Sequence, residues 1–182
     1  MTEEALLAAI ADGDEEAFKE FYFRTVRPVY SYILSLTKSC HEAEDVLQET
    51  YLRIWTGAGD YRPMGKPLAW VFTIARNLCY MRFREQKARG EEGYGEFEAE
   101  EEGRVCEGIE QAADREVLLN ALGKLEEEER QVVHLYAAAG MKHREVAQAL
   151  NLPLATELSK YNRSMKRLRQ ISVSYTHLRA HE

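Results

Sequence analysis

The segment from Glu91 to Asp114 constrains the fold most, because its composition suits a tether and not a packed element. It holds ten acidic residues against one basic residue, Arg104, and its formal charge is minus nine. Four glycines lie in the same stretch, and low hydrophobicity with high like charge is typical of a flexible linker. We therefore predict two small domains, residues 1–89 and 114–170, joined by an acidic linker over residues 90–113.

Both domains are expected to be helical. Ala, Leu, Glu, Lys, Arg and Gln dominate the 182 residues, and only four prolines interrupt them. The acidic start Met1–Glu4 is unlike a signal peptide, and no stretch approaches the roughly 18 apolar residues of a membrane span. The sequence thus predicts a cytoplasmic, all-α protein. The cysteines are odd in number and widely spaced, which favours neither a disulfide framework nor a zinc site: Cys40, Cys79 and Cys106.

The first domain has the pattern of a helical bundle. Asp14 is a suitable N-cap for a helix that begins at Glu15, and a second helix is predicted over residues 41–55. Glycines and prolines predict a loop from Thr56 to Lys66. A third helix is then predicted from Leu68 to about Lys87.

The second of these helices separates two kinds of side chain on two faces. Its apolar stripe consists of Val46, Leu47, Thr50 and Ile54. Its adjoining face carries Asp45, Gln48, Glu49 and Leu52. One face therefore suits a core and the other a partner, although an ordinary solvated amphipathic helix has the same pattern.

The third helix mixes aromatic with basic side chains, among them Trp70, Arg76, Arg82 and Arg84. Such a mixture suits single-stranded DNA, because unpaired bases stack on rings while guanidinium groups hold phosphates. The alternative is that the aromatic and apolar side chains belong to the core, which we expect of Phe72 and Ile74.

The second domain carries a helix-turn-helix pattern. Gly140 has the position of a C-cap glycine, a short helix follows over residues 142–150, and Asn151 suits a left-handed turn. Thr156 is then expected to cap a helix whose inward residues are Leu158, Tyr161, Met165 and Leu168. Six polar and basic residues of this helix are the candidates for contact with duplex DNA: Thr156, Ser159, Lys160, Arg163, Lys166 and Arg167. Glu157 would repel phosphate if it faced DNA, and the sequence leaves its orientation open.

In this order, over about residues 12 to 169, the motifs resemble those of the extracytoplasmic-function (group 4) sigma factors of bacterial RNA polymerase. The run Ala43–Trp55 is similar to the polymerase-binding helix of that family. The resemblance implies that core RNA polymerase contacts Asp45, Gln48, Glu49 and Leu52. The two-domain order also lacks the extra domains of housekeeping sigma factors.

The pair Tyr61-Arg62, followed by Trp70 and the string Ile74–Asn77, is similar to the family's promoter-melting element. The resemblance implies that the loop around Asp60–Arg62, with Asn77 beneath it, forms a pocket for one flipped base. The residues implied to contact single-stranded DNA are Tyr61, Arg62, Trp70, Arg76 and Asn77. In the same way, the helix-turn-helix is implied to bind the upstream promoter element.

Three stretches depart from the family pattern. The family often has an aspartate where this chain has Tyr80–Arg82, and it usually has glycine, threonine and an apolar residue in place of Ala155–Glu157. Residues 171–182 have no periodicity and lie beyond the usual end of the family. They resemble a cloning or sequencing remnant foreign to the native chain, and we exclude them from the fold prediction.

The predicted function is that of a sigma factor, which directs core RNA polymerase to specific promoters and begins to melt the DNA. No enzymatic activity, cofactor or metal is expected; an anti-sigma factor is a further partner that the resemblance leaves open. A stand-alone helix-turn-helix regulator that binds duplex DNA without polymerase is the main alternative. A metal-dependent enzyme built on His41, Glu44, Asp45 and Glu49 is a weaker one, because carboxylates on one exposed helix rarely make a site.

Overall fold

The computed structural model describes residues 1–63, 66–91 and 121–179, without the side chains of 172–179. The chain forms two compact units, one within residues 1–108 and one within residues 109–182. The described helices of the first unit are α1 (Glu3–Ala11), α2 (Glu15–Thr37), α3 (Cys40–Gly57) and α4 (Pro67–Ala88). Those of the second unit are α5 (Glu127–Val133), α6 (His143–Ala149) and α7 (Leu154–Arg179). The described residues contain no strand, and the predicted all-α class is confirmed.

The first unit is a bundle in which α2, α3 and α4 pack against one another. Asp14 caps α2 as predicted, since its carboxylate accepts hydrogen bonds from the backbone N–H groups of Glu16 and Ala17, both at 3.0 Å. Lys38, at φ 54°, ends α2, and the hydroxyl of Ser39 caps α3. The core of the bundle consists of fully buried side chains, among them Phe21, Tyr32, Ile33, Val46, Ile54 and Phe72.

Two features of the first unit differ from the prediction. Helix α1 was not predicted; it packs on α2 with Leu6, Leu7 and Ile10 buried. Helix α3 continues to Gly57, and a 3₁₀ turn over Ala58–Asp60 occupies the start of the predicted loop. This turn lies against α1, so the N-terminal helix reaches the loop that follows α3.

The second unit contains the predicted helix-turn-helix, formed by α6, a turn and α7. Gly140 has a positive φ of 69°, and Asn151 has the predicted left-handed conformation at φ 54°. Between α5 and Gly140 the chain makes a π-helical turn over His134–Ala138. At the N-terminus of α5, the backbone N–H of Glu126 donates a hydrogen bond to the carboxylate of Glu129 at 3.3 Å.

The prediction for α7 was wrong in two respects, its first residue and the side on which Leu158 lies. The helix begins at Leu154, so Thr156 lies inside the first turn and is not its N-cap. Leu158, predicted to be inward, is exposed at 37%, whereas Glu157 is fully buried. Tyr161, Met165 and Leu168 do lie toward the inside, being half-buried. The inward face of α7 therefore contains Glu157 and the buried Ser164 in addition to three of the four predicted residues, and it leaves out Leu158.

Three further predictions fall wholly or partly beyond the described residues. Most of the predicted acidic linker, together with Cys106, lies outside them. The helix α7 continues through residues 171–179, a stretch that we had excluded from the fold prediction.

In the part of the chain that the structure describes, no helix is long and apolar enough to cross a membrane.

Candidate polymerase and promoter surfaces

The four predicted polymerase contacts share the outer face of α3. Val46, Thr50 and Ile54 are buried, which fixes the opposite side of the helix against α2 and α4. Gln48 and Leu52 are exposed, the latter at 59%. The side chains of Asp45 and Glu49 are 44% and 42% exposed. The two faces predicted from the periodicity are therefore both present.

The acids of this face are paired within the molecule, but only near the surface. The guanidinium of Arg82, on α4, lies 3.0 Å from Glu42 and 3.7 Å from Asp45. Glu49 pairs with Arg53 one turn along α3, at 3.3 Å. Solvent-exposed pairs of this kind contribute about 0 to 1 kcal/mol each, so their carboxylates can exchange partners easily. Arg82 thus pairs with two acids of α3, a contact that the sequence did not indicate.

An apolar groove between α2 and α3 adjoins this acidic face. Leu52 lies on its rim and Gln48 belongs to its lining, so the groove and the acidic face share residues. The aromatic rings within it touch edge to face, with Phe18 and Trp55 centroids 5.3 Å apart. The other lining residues are Tyr22, Leu47 and Tyr51.

The structure brings two of the predicted single-stranded DNA contacts together. The rings of Tyr61 and Trp70 lie 5.3 Å apart at an angle of 55°. The Tyr61 hydroxyl donates a hydrogen bond to the carboxylate of Glu4, on α1, at 3.1 Å. Sequence reasoning missed Glu4, because the contact spans 57 residues and α1 itself was not predicted.

The other residues of this candidate surface lie along α4 and the loop. Asn77 is exposed and follows Trp70 by two turns, or about 10 Å, on the same side of the helix. The guanidinium of Arg76 lies over the ring of Tyr80, 4.9 Å from its centroid. Arg62 is exposed in the loop, and Phe72 is buried as predicted. The exposed surface thus extends from Tyr61 along α4 to Asn77.

The predicted duplex DNA contacts divide into two groups. Ser159, Arg163 and Lys166 are exposed on α7, and Thr156 is half-buried. In contrast, Lys160 and Arg167 form ion pairs with acids of α5. Lys160 lies 3.0 Å from Glu128 and is only 14% exposed. Arg167 is 46% exposed and lies 3.1 Å from Glu129, whose side chain is 1% exposed.

The structure settles the orientation of Glu157, which faces the interior. Its Oε1 lies 3.0 Å from Nδ1 of His143, and its Oε2 is buried without a hydrogen-bond partner. The ring of His143 stacks on Tyr136 at 4.1 Å and meets Tyr161 edge to face at 4.7 Å. The carboxylate therefore joins the first turn of α7 to the N-terminus of α6 and does not lie on the exposed side of α7.

Among the described residues, the buried acidic, arginine and histidine side chains all lie in the second unit. His134 lies in the π-helical turn and is 7% exposed. Burial lowers the pKa of its imidazole to about 4, and the nearby positive charge of Arg130 contributes to the lowering. Among the described residues, no group of three or more His, Cys, Asp and Glu side chains could hold a metal ion.

Comparison with known families matches both units. Residues 21–89 match the Sigma-70 region 2 family, and residues 115–168 match the Sigma-70 region 4 family. The ECF RNA polymerase sigma factor SigK of Mycobacterium ulcerans is 32% identical over 169 residues, which cover 91% of this chain and 90% of the relative. SigK of Mycobacterium tuberculosis is 29% identical over 170 residues, 91% of either chain.

Two solved structures share the fold. CnrH in complex with the cytosolic domain of CnrY has a TM-score of 0.61 at 24% identity, covering 94% of this chain and 97% of that one. RpoE in complex with the anti-sigma factor NepR from Bartonella quintana has a TM-score of 0.61 at 22% identity, covering 85% and 95%. With both units matched and 32% identity along nearly its whole length, the chain belongs to the extracytoplasmic-function family of RNA polymerase sigma factors.

Proposed function

We propose that this sigma factor divides its work among three surfaces. Core RNA polymerase binds the outer face of α3, melted promoter DNA binds along Tyr61 and α4, and the upstream promoter duplex binds α7. The supporting observation is how the charges are placed. Exposed acids lie on α3, whereas the exposed side of α7 carries bases and its acid, Glu157, is buried. The domain limits that we propose are residues 1–89, a linker over 90–113, and residues 114–170.

The polymerase surface combines charge with apolar area. Asp45, Gln48 and Glu49 supply polar contacts, and Leu52 supplies an exposed apolar side chain next to the aromatic groove. Interfaces typically place such an apolar anchor inside a polar rim. The ion pairs of Asp45 and Glu49 are exposed, so a basic residue of the polymerase can replace Arg82 or Arg53 at a small cost in free energy.

The surface proposed to bind melted DNA includes Tyr61, whose hydroxyl forms a hydrogen bond within the protein. Because the Tyr61 hydroxyl donates to Glu4, Tyr61 offers a base its ring face and not its hydroxyl. Trp70 and Glu4 restrain that ring from two sides, which limits the entropy lost when a base stacks on it. Asn77 is then the group that can bond to a base edge, since a side-chain amide both donates and accepts.

The duplex surface needs fewer residues than the sequence indicated. Ser159, Arg163 and Lys166 are exposed and can reach bases or phosphates. Lys160 and Arg167 are assigned here to holding α7 against α5, because both are paired with acids of that helix.

The protein is proposed to act without catalysis or a cofactor, and in the cytoplasm. An anti-sigma factor is proposed as a further partner. The support is that two proteins of this fold were solved as complexes, one with the cytosolic domain of CnrY and one with the anti-sigma factor NepR.

Co-purification with core RNA polymerase, followed by run-off transcription from a selected promoter, tests the proposal. We expect the holoenzyme to start transcription at that promoter while core enzyme alone does not. A stand-alone regulator would instead bind the duplex equally well without polymerase and would not co-elute with it. The region 2 match argues against that alternative, because it covers the unit that a simple helix-turn-helix regulator does not need.

A further inference from the structure

The outward side of α7 carries two uncharged residues, Leu158 and Asn162, next to basic ones. Leu158 is 37% exposed and lies on the outward side of α7, not on the inward side where the periodicity had placed it. Asn162 is exposed one turn further along, about 40° from Leu158 around the helix axis. Lys166 follows Asn162 by one more turn at a similar angle. These three side chains form a stripe along α7: toward the C-terminus, the apolar Leu158 is followed by the amide of Asn162 and then by the ammonium group of Lys166.

The stripe carries no negative charge. From Leu154 to Arg169 the sequence has one acid, Glu157, and that side chain is fully buried against His143. Leu154, 38% exposed, extends the apolar part by one turn toward the N-terminus. A helix that enters the major groove contacts base edges with its N-terminal residues. Along the stripe, the neutral side chains therefore lie nearer the N-terminus of α7, the part that contacts bases, and Lys166 follows them.

We infer that Leu158 and Asn162 determine promoter specificity by recognising adjacent A·T pairs in the major groove of the upstream element. A leucine contacts the 5-methyl group of thymine through apolar surface, and an asparagine bonds to N6 and N7 of adenine with both atoms of its amide. This assignment rests on the proposed role of α7 in duplex binding. Arg163 remains the candidate for guanine or phosphate at the other edge of the same face.

The experiment uses base analogues that delete single contacts. Holoenzyme formed from the full chain selects templates from a library whose upstream duplex is randomised. The selected sequence is remade with deoxyuridine for each thymidine, which removes the 5-methyl group, and with 7-deaza-deoxyadenosine for each adenosine, which removes N7. Closed-complex affinity is measured for wild type, Leu158→Ala and Asn162→Ala on every template.

We expect wild type to lose about fourfold in affinity at one deoxyuridine, as for the loss of one buried methyl group. It should lose about tenfold at one 7-deaza-adenosine. Leu158→Ala should bind the deoxyuridine template as well as the unmodified one but should still lose affinity at 7-deaza-adenosine. Asn162→Ala should lose affinity at deoxyuridine but not at 7-deaza-adenosine. Each variant is therefore the control for the other. Leu158→Met should keep the methyl dependence. Neither alanine variant should change the salt dependence, whereas Lys166→Ala should lower the salt slope by about one.

Equal sensitivity of wild type and both alanine variants to the analogues overturns the assignment, as does a selected sequence without adjacent A·T pairs. Failure of the wild-type holoenzyme to select any upstream sequence overturns the proposed duplex-binding role of α7 as well. Far-UV circular dichroism checks that each variant is folded. Because both substitutions are at exposed positions, we expect wild-type unfolding midpoints.

Discussion

The helices α3 and α7 both carry charges that we assign to partners, but they hold these charges differently. On α3, Asp45 and Glu49 pair with arginines, and every side chain in these pairs is at least 30% exposed. On α7, each ion pair has one member that is largely buried. Arg167 pairs with Glu129, whose side chain is 1% exposed, and the side chain of Lys160 is 14% exposed in its pair with Glu128.

The difference lies in how readily each ion pair can open. An exposed pair contributes little to folding and exchanges partners readily. A buried carboxylate that loses its cation keeps its desolvation cost, so the pair is fixed once the protein has folded. Spacing and sign of charge identified both helices, whereas burial distinguishes their ion pairs. The partner of Asp45 is 30% exposed, and the partner of Arg167 is 1% exposed.

The strongest test of this comparison reverses the charges on α3. Asp45→Arg with Glu49→Arg should abolish co-elution with core RNA polymerase, because repulsion adds to the lost attraction. The matched control is Glu16→Arg with Glu20→Arg, which makes the same charge change on exposed acids of α2. It should co-elute as wild type does. Co-elution of the first variant at wild-type levels refutes the α3 surface.

The second test uses pH to separate the two units. His134 has an ordinary pKa of 6.5 when unfolded and of about 4 when folded, so the unfolded chain binds a proton that the folded one excludes. The second unit should therefore lose stability as pH falls from 6.5 toward 4, at up to about 1.4 kcal/mol per pH unit. Above pH 6.5 the group has no effect. His134→Leu should remove this slope.

The measurement exploits where the tryptophans lie. Trp55 and Trp70 are both in the first unit, so fluorescence follows that unit alone, while far-UV circular dichroism follows both. The histidine of the first unit, His41, has a side chain 65% exposed. A denaturation midpoint that falls equally with pH by both probes contradicts the assignment to His134.

The third test compares two arginines on one helix. Arg167→Ala should lower the free energy of unfolding of the second unit by about 2 kcal/mol, because Glu129 is left buried without its cation. Arg163→Ala should leave stability within about 0.5 kcal/mol and weaken promoter binding instead. Chemical denaturation followed by circular dichroism, with a salt titration on promoter duplex, gives both quantities. Equal stability of the two variants removes the structural role of Arg167.

The fourth test concerns Tyr61, whose partner Glu4 lies on α1. Tyr61→Ala should slow open-complex formation about fivefold or more, as expected for the loss of stacking on one base. Tyr61→Phe and Glu4→Gln should have smaller effects, since each keeps the ring. A template with a pre-opened bubble should partly rescue Tyr61→Ala and Asn77→Ala. Equal losses on duplex and bubble templates speak against a base pocket at Tyr61.

The smallest effect is expected for the cations of the exposed pairs. Arg53→Ala should change the unfolding free energy of the first unit by less than about 0.5 kcal/mol, because Glu49 then turns to water. Fluorescence-detected denaturation measures this change. A loss as large as that for Arg167→Ala would erase the distinction between α3 and α7.

Local signals in the sequence predicted much of the fold. Asp14 as a cap, Gly140 at a helix end and Asn151 in a turn each depend on their own backbone and on neighbours a few residues away. The two faces of α3 follow from periodicity in the same way. These features could be predicted because no distant contact decides them.

What the sequence could not supply depends on contacts between distant residues. Tyr61 meets Glu4 across 57 positions, and Arg167 meets Glu129 across 38. The orientation of Glu157 is tied to His143, which is 14 positions away on another helix. Without these contacts Leu158 was predicted to lie inside, and the ion pairs of Lys160 and Arg167 with α5 could not be predicted.

The burial of Glu157 has a consequence for changing which promoters the protein serves. Its carboxylate, together with Arg167 and Lys160, anchors α7 through side chains that point away from the exposed stripe. Positions 158, 159, 162 and 163 can therefore be exchanged as a set while the anchor is left intact. A family of variants made this way would offer transcription systems that work side by side in one cell, each with its own upstream sequence.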